Sequence, residues 1–117
     1  MTNTQVRQWY KDEVGRISSL NLSWIAKGEG AERRARKAWQ MRHTARLKAR
    51  DMMENPEEVQ LLRKRDLAKY GNSDGPTFEY LVDYWSRFGL QGDKIYEAII
   101  EDALITNAEV DRKFRID

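Results

Sequence analysis

His43, the only histidine of the chain, lies among arginines at spacings that suit one face of a helix. Trp39, His43, Arg46 and Arg50 recur every three or four positions and would therefore form one stripe. Imidazole exchanges a proton near neutral pH, and guanidinium binds phosphate in a bidentate manner. These residue types could therefore bind and cleave a phosphodiester. The alternative is that they form an ordinary solvated helix face.

Cleavage of RNA without a metal requires a base for the 2′-hydroxyl, an acid for the leaving oxygen and cations for the phosphate. His43 could act as the base or the acid, while Arg42 and Arg46 could bind the phosphate. A single histidine cannot fill both roles at once, so a second titrating group must come from elsewhere in the chain. Four residues are candidates for that group: Tyr70, Asp74, Asp51 and Asp66.

Four further residues could contact the substrate. Lys48 and Arg50 could bind phosphate, and Trp39 could stack on a base or simply belong to the core. Asn72 lies in the Gly- and Asp-rich loop 70–77, which could present polar groups to a ligand. The loop could equally be a well-capped turn without a binding role.

The helix that carries the stripe is predicted at about 31–54, because this segment has good helix formers and neither Gly nor Pro before its end. A second stripe of small residues would let this helix approach its neighbours closely. It consists of Ala31, Ala35, Ala38, Ala45, Ala49 and Met52. Arg42 interrupts the small-residue stripe, so it either reaches a ligand or pairs with a buried carboxylate such as Asp66.

The segments on either side of the basic helix also have helical patterns. Thr2 or Thr4 can cap a first helix, Asn21 offers a break in it, and 27–30 reads as a flexible joint. Residues 1–27 are therefore predicted to form a connecting helix, with the core of a single domain at 31–117.

Asn55 followed by Pro56 marks the start of a third helix, which Gly71 would end. The short link at 54–55 predicts a close antiparallel hairpin with the basic helix.

A fourth helix is predicted from Thr77 to Phe88, with Phe88 on its buried face. A fifth would follow to about residue 104, and a short last one over 108–114. No segment alternates with period two, so the chain is predicted to be all-α, a compact bundle of five to six helices around the central basic helix.

Composition limits the classes of function. The chain has 117 residues and no cysteine, which excludes disulfides and thiolate metal sites. With one histidine and no close carboxylate cluster, no metal or cofactor is expected. No apolar run approaches the ~20 residues that span a bilayer. The sequence is therefore expected to lack a membrane span. The protein is also expected to be a monomer.

The net charge of +2 hides an uneven distribution. Residues 27–50 contain nine basic and two acidic side chains, whereas residues 51–117 contain nine basic and fifteen acidic ones. A positive charge focused on one helix favours an anionic partner. Alternatively, the two halves of the chain neutralise each other.

The segments MRHTARLKAR (41–50) and KYGNSDGPTF (69–78) resemble small toxin domains at the C-termini of bacterial polymorphic toxins, the Rhs-type and type VI secretion effectors. The similarity continues through YEAII (96–100) and covers roughly 32–107. Such domains are commonly nucleases or other intracellular poisons, and a cognate immunity protein neutralises them. The resemblance implies an active site at His43, Arg42 and Arg46, with Tyr70, Asn72 and Asp74 as a second wall.

The resemblance implies a secreted antibacterial effector that acts in the cytoplasm of the target cell. Its activity would be that of a metal-independent nuclease, with RNA favoured over DNA. Its partners would be nucleic acid and an acidic immunity protein. The alternative is a non-enzymatic cytoplasmic binding module or adaptor, whose basic face binds nucleic acid or an acidic protein in a salt-sensitive manner without turnover.

Overall fold

The computed structural model describes residues 1–104, which form five helices and no strand. In chain order they are α1 (Asn3–Ala26), α2 (Ala31–Met52), α3 (Pro56–Tyr70), α4 (Phe78–Arg87) and α5 (Asp93–Ala103). The prediction of an all-α bundle is confirmed, and the basic helix α2 lies between α1 and α5. The predicted short helix at 108–114 lies outside the described residues. Within residues 1–104, no helix is long and apolar enough to cross a membrane.

Helix α1 is continuous, so the predicted break at Asn21 is wrong. Thr2 caps its start in a reciprocal arrangement with Gln5. Burial of the stripe that includes Ile17 stabilises the helix by more than the roughly 1 kcal/mol that Gly15 costs. The Asn21 side chain is buried and accepts a hydrogen bond from Arg34 of α2. A tertiary contact therefore uses the polar group that could have capped a new helix.

The predicted small-residue stripe of α2 is confirmed as a packing surface. Ala35 and Ala38 are fully buried, and Ala38 contacts Ile17 of α1 and Ala103 of α5 in one cluster. Because alanine side chains are short, both neighbouring helices approach α2 closely. This arrangement fixes the orientation of the adjoining His43 stripe relative to α5.

Helix α3 has the predicted ends but not the predicted packing. The side chain of Asn55 caps its start, and Gly71 ends it in the left-handed conformation with φ 71°. Leu61 and Leu67 are exposed, and Asp66 is the residue that the helix buries. Instead of forming a close hairpin with α2, α3 is joined to it through an ion pair of this carboxylate.

Helices α4 and α5 pack together over α2. The Thr77 side chain caps α4, and the adjacent Phe78 is buried against Ile99 and Ile100 of α5. Phe88 was predicted to be buried but is 66% exposed. It follows Tyr80 and Tyr84 at four-residue intervals, a spacing that places all three on one side of α4.

Candidate functional site

A cavity of about 280 Å³ lies between α2, α3, α5 and the loop that follows α3. Four basic side chains line this basic recess: Arg42, Arg46, Arg65 and Lys69. Tyr70 and the acidic residues Asp66 and Asp102 also contribute to its wall. The concentration of cationic groups in a concave site suits a phosphate-bearing ligand.

His43 lies next to the basic recess. With Trp39, Arg42, Arg46 and Asp102 it lines a smaller cavity of about 30 Å³, which shares three of these residues with the recess. The imidazole stacks on the Trp39 indole, with ring centroids 4.9 Å apart and an interplanar angle of 11°. Trp39 therefore holds the orientation of the imidazole. This contact makes Trp39 a support for His43, whichever role His43 has.

The surroundings of His43 favour its neutral form. Burial lowers the pKa of His43 below its ordinary value, and the charges of Arg46 and Arg50 lower it further. The charge of Asp74 acts in the opposite direction on this pKa. A neutral imidazole can accept a proton, which is what a general base must do.

Arg42 has a structural role that explains why it interrupts the alanine stripe. Its Nε donates a hydrogen bond to the hydroxyl of Tyr10 at 3.0 Å, and its Nη1 donates to the backbone carbonyl of Asp102. The side chain is buried, yet part of it lines the recess. Arg42 thus joins α1, α2 and α5 while facing the candidate site.

Arg50 makes the buried ion pair that the sequence suggested for Arg42. Its Nη2 donates to the Asp66 carboxylate, and its Nη1 donates to the carbonyl of Ser73 at 2.9 Å. Both charged side chains are buried. Arg50 therefore attaches α3 and the following loop to α2.

The loop 71–77 passes close to a second arginine of α2, Arg46. Gly75 is buried and has φ +103°, and a Cβ at this position would overlap a guanidinium nitrogen of Arg46. Only glycine allows this close approach without a shift of Arg46. Asn72 closes the turn by accepting a hydrogen bond from the backbone N–H of Asp74 at 2.9 Å. The loop is a well-formed turn that also forms one side of the recess.

The structure brings together some of the predicted site residues and separates others. Arg42, Arg46 and Tyr70 line the basic recess, with His43 and Trp39 beside it. Lys48 is exposed elsewhere on α2, where its ammonium lies 5.2 Å from the centroid of the Trp9 ring.

Arg65, Lys69 and Asp102 line the recess although the sequence pattern did not single them out. Arg65 and Lys69 are one helical turn apart on α3, a spacing that indicates a shared face. Asp102 follows the buried Ile99 by three residues, so a carboxylate on the inner side of α5 could have been noticed. Among residues 1–104, no group of three or more metal-ligating side chains occurs.

Comparison of the chain with family models, with characterised proteins and with solved structures found no match. The resemblance to polymorphic-toxin domains stays a prediction. Function is therefore inferred from the basic recess and the side chains around it.

The pKa of His43 is directly measurable, because the protein has one histidine and hence one imidazole to follow by NMR. We expect a value below 6.5 in the wild-type protein. Arg46→Gln should raise this pKa because it removes a repelling charge, and Asp74→Asn should lower it because it removes an attracting one. Arg33→Gln is the control, since Arg33 is on the same helix but exposed and paired with Glu29. A wild-type pKa at or above 6.5 would show that burial and the charges of Arg46 and Arg50 do not lower the pKa of His43.

Proposed function

We propose that this protein is a ribonuclease that binds an RNA phosphodiester at the basic recess and uses His43 as its general base. The observation that carries the proposal is the position of His43, a half-buried imidazole with a lowered pKa at the edge of a recess lined by four basic side chains. Such a pairing of proton acceptor and cations is what phosphodiester cleavage requires.

In the proposed reaction, His43 takes the proton from the 2′-hydroxyl. The 2′-oxygen then forms a bond to the adjacent phosphorus, and the bond from phosphorus to the 5′-oxygen breaks. Tyr70, which lines the recess, donates a proton to the leaving 5′-oxygen. The products are a 2′,3′-cyclic phosphate and a free 5′-hydroxyl. RNA is favoured over DNA because the attacking oxygen belongs to the ribose.

Arg46, Arg65 and Lys69 are proposed to bind the phosphate and the negative charge that develops on it. Guanidinium groups form charge-assisted, bidentate hydrogen bonds to phosphate oxygens. Arg42 positions the site, since its hydrogen bonds to Tyr10 and Asp102 connect three helices at the back of the recess.

The biological setting in the proposal is that of a secreted antibacterial effector acting in the cytoplasm of the target cell. The sequence resemblance supports this setting, and the focused basic surface supports a nucleic-acid substrate. A cognate acidic immunity protein would block the enzyme by covering the recess, because complementary charge favours that docking.

A second candidate function is a binding module without enzymatic activity. The observation that favours it is that two of the predicted site arginines, Arg42 and Arg50, are buried and donate hydrogen bonds within the fold. In this case the recess would bind nucleic acid or an acidic protein, and nothing would turn over.

The decisive experiment incubates the purified protein with a labelled single-stranded RNA, with the same strand in deoxy form, and with the RNA carrying one 2′-deoxy nucleotide. We expect cleavage of the RNA, in the presence of chelator, to 2′,3′-cyclic phosphate ends. The deoxy strand should stay intact, and the single 2′-deoxy nucleotide should protect its own 3′ linkage.

Binding is measured in parallel at increasing salt, where affinity should fall steeply because phosphate contacts displace counterions. Salt-sensitive binding with every strand intact would establish the binding module and overturn the ribonuclease. Cleavage of the deoxy strand at a comparable rate would overturn the role of the 2′-hydroxyl.

A further inference from the structure

A row of aromatic rings leads away from the basic recess along α4. This aromatic ladder consists of Tyr70, Tyr80, Tyr84 and Phe88. Successive ring centroids lie 5.2 Å, 6.5 Å and 4.9 Å apart. The last three residues are spaced by four positions and therefore share one face of the helix.

The outer part of the aromatic ladder is exposed although its residues are large and apolar. Tyr84 is 40% exposed and Phe88 is 66% exposed. Trp85, on the inner side of α4, supports both rings, with centroid distances of 5.1 Å and 5.7 Å. Aromatic rings that are held by their neighbours and left partly exposed are suited to contact a planar ligand.

Charge and position connect the aromatic ladder to the recess. Tyr70 belongs to both, and the ammonium of Lys69 lies 5.3 Å from the centroid of its ring. At the far end, Arg87 next to Phe88 is 79% exposed and pairs with Asp83. The ligand that fits such a surface carries anionic groups on a backbone and flat rings beside it.

We propose that the aromatic ladder stacks the unpaired bases of a single-stranded RNA whose phosphate occupies the basic recess. This inference rests on the proposed function and adds the substrate class to it. In a duplex the base faces are already stacked on one another, so they cannot contact the rings. Single-stranded nucleic acid is bound in this way by proteins that combine basic grooves with aromatic side chains.

The test measures binding to a short, unstructured, labelled RNA by fluorescence anisotropy, in the His43→Ala background so that cleavage does not interfere. Phe88→Ala and Tyr84→Ala should each weaken binding roughly 5- to 150-fold, the range found for loss of one stacked base. Phe88→Trp should retain the affinity. Phe88→Leu should lose it, because leucine is apolar but cannot stack.

The matched control is Leu22→Ala on α1, where Leu22 is 67% exposed, nearly the same as Phe88. This variant should bind RNA like the parent. The proposal would be overturned if Phe88→Ala and Tyr84→Ala bound RNA as tightly as the His43→Ala parent. It would also be overturned if Phe88→Leu kept the affinity of that parent. If the Phe88 and Tyr84 substitutions altered only self-association or binding of an immunity protein, the aromatic ladder would be a protein-contact surface. That result would also overturn the RNA-stacking proposal.

The two proposals fail separately. If binding depends on the ladder but the wild-type protein leaves RNA intact, the ladder is established and the ribonuclease is overturned. If the wild-type protein cleaves RNA and the ladder variants bind it normally, the ribonuclease is established and the ladder is overturned.

Discussion

Asp66→Ala is expected to lower the free energy of unfolding by about 3–5 kcal/mol, a large part of the ~5–15 kcal/mol that stabilises a domain. Asp66 is 2% exposed and Arg50 is 8% exposed, so the pair is withdrawn from water. Removing the carboxylate leaves the Arg50 guanidinium buried without its anionic partner. Urea unfolding followed by circular dichroism measures the change.

Arg65→Ala is the matched control, because Arg65 contacts the same carboxylate from the protein surface. It is 47% exposed and lies 3.5 Å from Asp66, so its loss should cost less than about 1 kcal/mol. The double variant Arg50→Met, Asp66→Leu replaces both charges by apolar groups and should recover most of the lost stability. Equal losses in Asp66→Ala and Arg65→Ala would show that the buried pair does not anchor α3.

The expected loss also has a local consequence for the recess. Helix α3 exposes Leu61 and Leu67 and contributes little apolar burial, so the Asp66 ion pair is its main attachment to α2. Arg65, Lys69 and Tyr70 are carried by the same helix. Without the pair, α3 should open before the rest of the bundle unfolds, and its backbone amides should exchange fastest with solvent.

The parts of the fold that could be predicted from the sequence are those that depend on neighbouring residues. Asn55, Gly71 and Thr77 act within three or four residues, and each begins or ends a helix as expected. The continuity of α1 could not be predicted in this way. Asn21 could have broken the helix, but its side chain instead accepts a hydrogen bond from Arg34, which is distant in sequence. The exposure of Phe88 likewise depends on which face α4 turns towards α5.

For the candidate site, the sequence indicates a basic helix but not which of its arginines are structural and which face a ligand. The sequence places His43 and several arginines on one helix, and Arg42 and Arg46 of that helix line the recess. Their partners lie far away in the chain: Arg42 contacts Tyr10 and Asp102, and Arg50 contacts Asp66. Periodicity within α2 contains no information about those partners, so it cannot separate structural arginines from those that face a ligand.

His43→Ala is expected to reduce the rate of RNA cleavage by roughly 100- to 10,000-fold, the usual contribution of a general base. Initial rates on a labelled RNA measure this effect, with thermal unfolding as a check that the variant folds. His43→Gln preserves a planar side chain beside Trp39 and should be equally inactive. Gln40→Ala is the matched control, since Gln40 is exposed on the same helix and should retain the wild-type rate.

The pH dependence distinguishes a base from a residue that only packs on Trp39. Cleavage by the wild-type protein should fall as the pH drops through the pKa of His43, because protonated imidazole cannot accept the proton of the 2′-hydroxyl. That pKa is lowered, so the decline should occur below pH 6.5. Asp74→Asn should move the decline to lower pH, since it removes the charge that raises this pKa. Two results would show that His43 takes no part in the chemistry and only packs on Trp39. One is a His43→Ala variant that keeps most of the wild-type cleavage rate. The other is an Asp74→Asn variant in which the cleavage rate declines at the same pH as in the wild-type protein.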